Sequence, residues 1–126
     1  MFIYSFEKLE VWKESKNFTK LIYLATTKFP ETEKYGLTSQ LRRASVSVCS
    51  NIAEGSSRQT NKDKAHFTTM AFSSAVEVLN QLIICFELNF ISENEYLKLR
   101  RDLESITNKL NALRNYQITR STEPNK

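Results

Sequence analysis

Glycine and proline are scarce in this chain, with two of each in 126 residues. Folds built from many tight turns, the all-β sandwiches and barrels above all, are therefore disfavoured. Cysteine is equally sparse. Cys49 and Cys85 stand alone, with no Cys-x-x-Cys or Cys/His spacing, so a disulfide framework and a zinc site are both unsupported, and two free, buried, inert thiols in a reduced compartment are expected. His66 is the one histidine, set between Ala65 and Phe67, and reads as a surface or partly packed residue. No Gly-rich phosphate loop, His-Glu-x-x-His or Glu-x-x-His pattern occurs, and Ser45, Ser47 and Ser50 have no base nearby to activate them. No cofactor, metal or small-molecule substrate is implied. An export signal is also missing, since Glu7 and Glu10 interrupt the first eleven residues. The most apolar stretch, 76–91, is broken by Glu77, Asn80, Gln81, Glu87 and Asn89, which reads as too short and too polar for a membrane span. The expectation is a cytoplasmic, non-enzymatic protein with no membrane contact.

Present instead is helical periodicity over nearly the whole chain. At 126 residues, 40% hydrophobic and 25% charged, the chain is long enough for one self-sufficient core. Apolar residues at three- and four-residue steps predict four helices, about 6–29, 37–54, 61–88 and 93–116. Pro30 stops the first, and Gly55 is a natural terminator of the second. Thr60 with Asp63, and Ser92 with Glu95, resemble capping arrangements for the third and fourth. Tyr96, Leu99, Leu103, Ile106, Leu110 and Leu113 form a narrow, regular seam. Short connections between long helices predict an all-α, antiparallel, up-down-up-down four-helix bundle of residues 1–118, with 119–126 as a flexible polar tail.

The third helix carries apolar residues around most of its circumference, from Phe67 and Met70 through Phe72, Val76, Val78, Leu79, Ile83 and Ile84. In a bundle of four, one side of each helix should face water. A covering partner is implied, and a second copy of the chain is the economical choice.

The stretch Ser39 to Gly55 is the most informative. Leu41, Ala44, Val48 and Ile52 make its apolar side, while Arg43, Ser47, Ser50, Asn51 and Glu54 recur on the other. Together with Phe6, Leu9, Val11 and Trp12 near the start, Phe29-Pro30, Glu33, Tyr35, Gly36 and Leu37, then Gln40, Arg42, Arg43, Ala44 and Ser47, the run Asn51-Ile52-Ala53-Glu54-Gly55, Arg58, and Ala71, Ser74 and Glu77, the chain resembles the 23S rRNA intervening-sequence protein family. Ser73 stands where that family's pattern has glycine. The resemblance implies a cytoplasmic, ribosomal-protein-like bacterial four-helix bundle without enzymatic activity, assembled as a ring-like homo-oligomer, a homopentamer by example. A related branch comprises accessory proteins of diversity-generating retroelements, whose basic ring surfaces engage RNA and a reverse transcriptase.

Two readings of the polar residues follow. Arg42, Arg43, Arg58, Lys62, Lys64, Arg100 and Arg101 are the candidate phosphate contacts for RNA or a ribonucleoprotein partner. Alternatively, Arg43, Ser47, Asn51, Glu54 and Glu77 form a structural polar seam that fixes register across helices or subunits, and the protein is an adaptor that touches no nucleic acid. The formal charge of +4 and pI near 9.1 permit RNA binding without requiring it. Counted by segment the charge is thin, with seven Lys/Arg against five Asp/Glu in 92–126 and two against three in 61–91. A ring would repeat each modest patch and multiply its effect.

Overall fold

The computed structural model describes residues 1–121 and is all-α, with four long helices and no strand among the described residues. Helix α1 spans Glu10–Thr26, α2 Leu37–Ser56, α3 Asn61–Glu87 and α4 Glu93–Ser121, with 3₁₀ turns at Ser5–Lys8 and Glu31–Glu33.

The first helix is shorter than its periodicity suggests at both ends. Leu9 is extended (φ −72°, ψ 125°), which separates the 3₁₀ turn from α1. At the far end the Thr26 hydroxyl donates to the Ile22 and Tyr23 carbonyls, and Thr27 donates to Leu24. Such back-bonding competes with the helix ladder, and Pro30 disfavours helical geometry at the residue before it. Phe29 is nevertheless buried and meets the Phe90 ring at 5.5 Å, tying the α1–α2 and α3–α4 connections together. At the other terminus α4 continues past Tyr116 to Ser121, so the expected polar tail begins as helix; residues 122–126 of that tail lie outside the described residues.

Each remaining boundary has a local cause. Glu33 accepts a hydrogen bond from the Leu37 N–H (3.2 Å) at the start of α2, where a carboxylate also suits the helix dipole. Thr60 accepts from Asp63 N–H (3.1 Å) and Ser92 from Glu95 N–H (3.2 Å), capping α3 and α4. Asn89 ends α3 in the left-handed region (φ 62°), with the Phe90 N–H bonded to the Cys85 carbonyl and the Asn89 N–H to that of Phe86, the Schellman pattern.

Gly55 departs from its expected role. It does not end α2 in a left-handed turn: the helix runs through it to Ser56, and no glycine has positive φ. Its value is space. A Cβ at Gly55 would lie 2.8 Å from the Phe67 Cβ and 3.5 Å from the Lys64 carbonyl, so α3 packs directly on the α2 backbone there.

The core collects one stripe from each helix. Phe18 and Ile22 of α1, Leu41, Ala44, Val48 and Ile52 of α2, Ala71, Ala75, Val78 and Leu82 of α3, and the α4 seam from Tyr96 to Leu110 are all buried. By length and composition α3 could also cross a bilayer, with a mean hydropathy of 1.4 over its most apolar 18 residues, contrary to the reading of 76–91 alone. Of that window 33% is buried inside the subunit, on the core face of α3 between α2 and α4. Between helices, Ser47 and Ser74 hydroxyls join α2 to α3 at 2.9 Å, and Thr19 of α1 donates to the Ser45 carbonyl of α2 at 3.2 Å. Glu14 of α1 takes hydrogen bonds from Ser105 and Lys109 of α4.

Gly55→Ala should lower the melting temperature, although alanine is the better helix former by about 1 kcal/mol. The Phe67 Cβ is the root of its side chain, so α3 itself must move, an overpacking cost of about 1–3 kcal/mol. A rise in melting temperature would show that the helices yield freely.

The Glu14 contact sets a pH dependence. Burial pushes its carboxyl up, but the hydrogen bonds from Lys109 and Ser105 and the Lys109 charge outweigh that and leave it lowered. A lowered folded value means the contact's contribution is complete above the ordinary glutamate range and disappears as pH falls through the folded value. Thermal melts across acidic pH should therefore show a shallower loss in Glu14→Gln than in the wild type; identical pH profiles would mean the contact contributes nothing.

Candidate nucleic-acid interface

The fold sorts charge by end, which a count along the chain does not reveal. One end consists of the α2–α3 connection, the first turns of α3, the last turns of α4 and the Ser5–Lys8 turn. Arg58, Lys62, Lys64, Arg114 and Arg120, with Lys8, gather there against Glu7, Glu54 and Asp63. The opposite end, residues 28–36 and 87–95, carries Lys28 and Lys34 against Glu31, Glu33, Glu87, Glu93 and Glu95. The protein thus presents a basic end and an acidic end, a polarity able to orient a polyanion as it approaches.

At the basic end the cations lie on aromatic rings. The Arg58 guanidinium stacks over Phe67 at 4.5 Å and that of Arg120 over Tyr116 at 4.9 Å. Both arginines are exposed, as is Lys62, and Lys64 is half-buried. Arg114 donates through Nε to the Thr69 hydroxyl at 2.7 Å, bracing α4 against α3. For Arg58, stacking pre-orders the side chain while leaving the edges of its guanidinium for phosphate oxygens.

Of the seven cations named from sequence, three fall in this cluster: Arg58, Lys62 and Lys64. Arg42 is turned to packing, with Nε donating to the Thr26 hydroxyl (2.8 Å), a longer contact from Nη2 to the Tyr23 carbonyl (3.4 Å), and its plane 4.7 Å from the Tyr23 ring. Arg43 is exposed near the start of α2, about 20 Å along the helix from Ser56 at the cluster's end. Arg100 and Arg101 sit about 24 Å from Tyr116 along α4. There Arg100 donates to the Tyr96 hydroxyl (2.6 Å) and pairs with Glu104 (3.6 Å), and Lys98 pairs with Asp102 (2.6 Å). That cluster is largely neutralised within its own helix, while Arg101 is exposed.

The five seam residues also separate. Asn51 donates to the Ser47 carbonyl (2.9 Å) and hydroxyl (3.1 Å), and Ser47 meets Ser74. Arg43, Glu54 and Glu77 are exposed, and none of the ion pairs among the described residues joins them. Val76 and Ile84 also remain exposed on α3, as does Val46 on α2.

Arg114, Arg120 and Gln117 escaped the sequence reading. The signal for Gln117 was present: it extends the α4 seam by one further step, Leu110, Leu113, Gln117, and it is buried at 7% exposure. Its Oε1 accepts from the buried Thr68 hydroxyl at 2.7 Å. Among the described residues no group of His, Cys, Asp and Glu is placed to hold a metal ion. Both thiols are free; Cys85 is buried and Cys49 half-buried, and burial pushes them up, Cys85 to about 11, so neither is a ready nucleophile.

Comparison with known proteins follows the same lines. The family described as 23S rRNA-intervening sequence protein matches residues 7–112. Among curated proteins, none matches the chain. In structure the chain is similar to a protein of unknown function from the S23 ribosomal protein family of Bacteroides thetaiotaomicron VPI-5482, with a TM-score of 0.74 and 22% identity over 82% of this chain and 96% of that one. At that identity the likeness speaks to the fold.

Proposed function

The chain belongs to the 23S rRNA-intervening sequence protein family, and we propose that it acts in the cytoplasm as a non-enzymatic, homo-oligomeric RNA-binding protein whose basic end faces the RNA. The observation that carries this reading is the gathering of Arg58, Lys62, Lys64, Arg114 and Arg120 at one end while acidic residues collect at the other. Phosphate contacts of this kind position an RNA without reading its sequence.

The helices are taken as an antiparallel, up-down-up-down bundle. Contact order supports this: Thr19 meets Ser45 while the later Thr26 meets the earlier Arg42, and Thr68 meets Gln117 while the later Phe86 stacks on the earlier Tyr96 at 4.5 Å. Assembly into a ring, a pentamer by family resemblance, is supported by side chains left uncovered on α2 and α3: Val46 beside α1, Val76 beside α4, Ile84, and the charged Arg43, Glu54 and Glu77. In a ring those charged residues pair between copies, and each basic end is repeated around the axis.

An adaptor that binds protein instead draws support from a second feature, an apolar cleft of about 590 Å³ between α1 and α2, walled by Tyr23, Leu24 and Val46. The salt response of RNA binding separates the two readings.

Fluorescence anisotropy with rRNA-derived and unrelated RNAs should show affinity falling steeply from low to physiological salt. The double variant Arg58→Ala/Lys64→Ala should weaken binding to every RNA and flatten the salt slope by about two. If the wild type binds none of these RNAs at low salt, the RNA reading falls and the adaptor reading takes its place.

Light scattering should give a mass several times that of one chain, and Val76→Glu should reduce it to a monomer with little change in melting temperature, because that side chain is exposed within the subunit. A monomeric wild type at high micromolar concentration would remove the ring.

A further inference from the structure

The basic end also holds a pocket of about 220 Å³, below the roughly 300–1,000 Å³ typical of sites for drug-sized ligands. Leu9, Ile52 and Leu113 supply apolar walls, and Tyr116 adds an aromatic one. Its floor is polar. Gln117, more than nine-tenths buried, is held through Oε1 by the Thr68 hydroxyl, which leaves the two Nε2 hydrogens for the pocket. Lys64 stands at the wall, and the Arg120 guanidinium lies over the Tyr116 ring. Ser5 completes the rim. Immediately before it, the Phe2 and Tyr4 rings pack edge to face at 5.0 Å and remain 75% and 61% exposed.

We infer that this pocket receives one unstacked nucleobase of a single-stranded RNA. The inference rests on the RNA-binding reading and specifies which form of RNA is held and where. A flat ring system with polar edges matches a slot that has apolar sides and a hydrogen-bonding floor. A base flipped out of its stack is held in this way, by aromatic contact on its face and hydrogen bonds on its edge. Lys64 then meets a flanking phosphate, and Phe2 and Tyr4 offer exposed rings on which neighbouring bases stack. A duplex keeps its bases paired and has none to offer.

The test uses the full chain with ten-nucleotide oligoadenylate, oligouridylate and oligocytidylate and a mixed-sequence duplex of equal length, read by anisotropy over a salt series. Two variants carry it. Ser5→Trp plugs the mouth from an exposed position. Gln117→Leu continues the apolar seam of α4 and removes the donors, while the Thr68 hydroxyl keeps its bond to the Lys64 carbonyl (3.0 Å). The wild type should prefer single strands over duplex and discriminate among the three homopolymers. Each variant should lose about tenfold in single-strand affinity, with the salt slope and duplex binding unchanged and the melting temperature not lowered, and Gln117→Leu should erase the discrimination. Equal binding of single strands and duplex, with both variants neutral, overturns the pocket and leaves the RNA reading standing. Failure of the wild type to bind any of the four overturns both.

Discussion

The close approach of α2 to α3 is the constraint on which the rest of the molecule depends. It is made possible by small residues on both helices: Ala44, Ser47 and Gly55 on one, Ala71, Ser74 and Ala75 on the other. Small side chains bring two backbones near, and the contact they lose in size is replaced by the Ser47–Ser74 hydrogen bond and by Phe67 lying on the bare Gly55. Interiors are close-packed, so a methyl group in the wrong place is felt across the interface. The consequence reaches beyond stability. Because α2 ends hard against the start of α3, the connection between them is short, and Arg58 is held over Phe67 within the same corner as Lys62 and Lys64.

From that corner the electrostatics follow. α4 lies alongside α3, so its last turns are delivered to the first turns of α3, and Thr68–Gln117 and Thr69–Arg114 fasten them there. Arg120, remote in sequence from Arg58, becomes its neighbour at the same end of the molecule. The other end is tied by Phe29 and Phe90 between two connections rich in glutamate. A modest net charge of +4 is thereby converted into a field with direction. Direction matters more than total for meeting a polyanion, since a local excess of cations sets the contact while the remote acidic end discourages other orientations.

Much of the helical plan was legible in the sequence because it is local. The α4 seam, the caps at Thr60 and Ser92 and the apolar stripe of α2 are all written in three- and four-residue steps. What failed had non-local or competing causes. α1 stops at Thr26 because two threonine hydroxyls turn back on the chain, a competition that apolar spacing does not register. Gly55 looked like a terminator, yet its purpose depends on Phe67, a residue of another helix. The candidate site was legible only in fragments. Arg58, Lys62 and Lys64 lie within seven positions and could be grouped, whereas Arg114 and Arg120 join them only through the packing of α4 on α3. Arg100 and Arg101 were conspicuous as a doublet, but their own helix supplies Glu104 and Asp102 to neutralise that segment.

Gln117 bears most directly on function, because it breaks a rule the rest of α4 keeps. Leucine there would extend the seam and seal the end of the core. Thr68 satisfies the amide oxygen, and because Gln117 lines the pocket its amino group is not sealed from water. Consistency across propensity, pattern and packing is what specifies a fold, and a local breach of it marks a place where something other than stability is being served. This breach is not at a random position. Gln117 lines one pocket with Tyr116 and Lys64, inside the basic end. A polar floor in that setting distinguishes a site that merely attracts a phosphate backbone from one that can also hold a base.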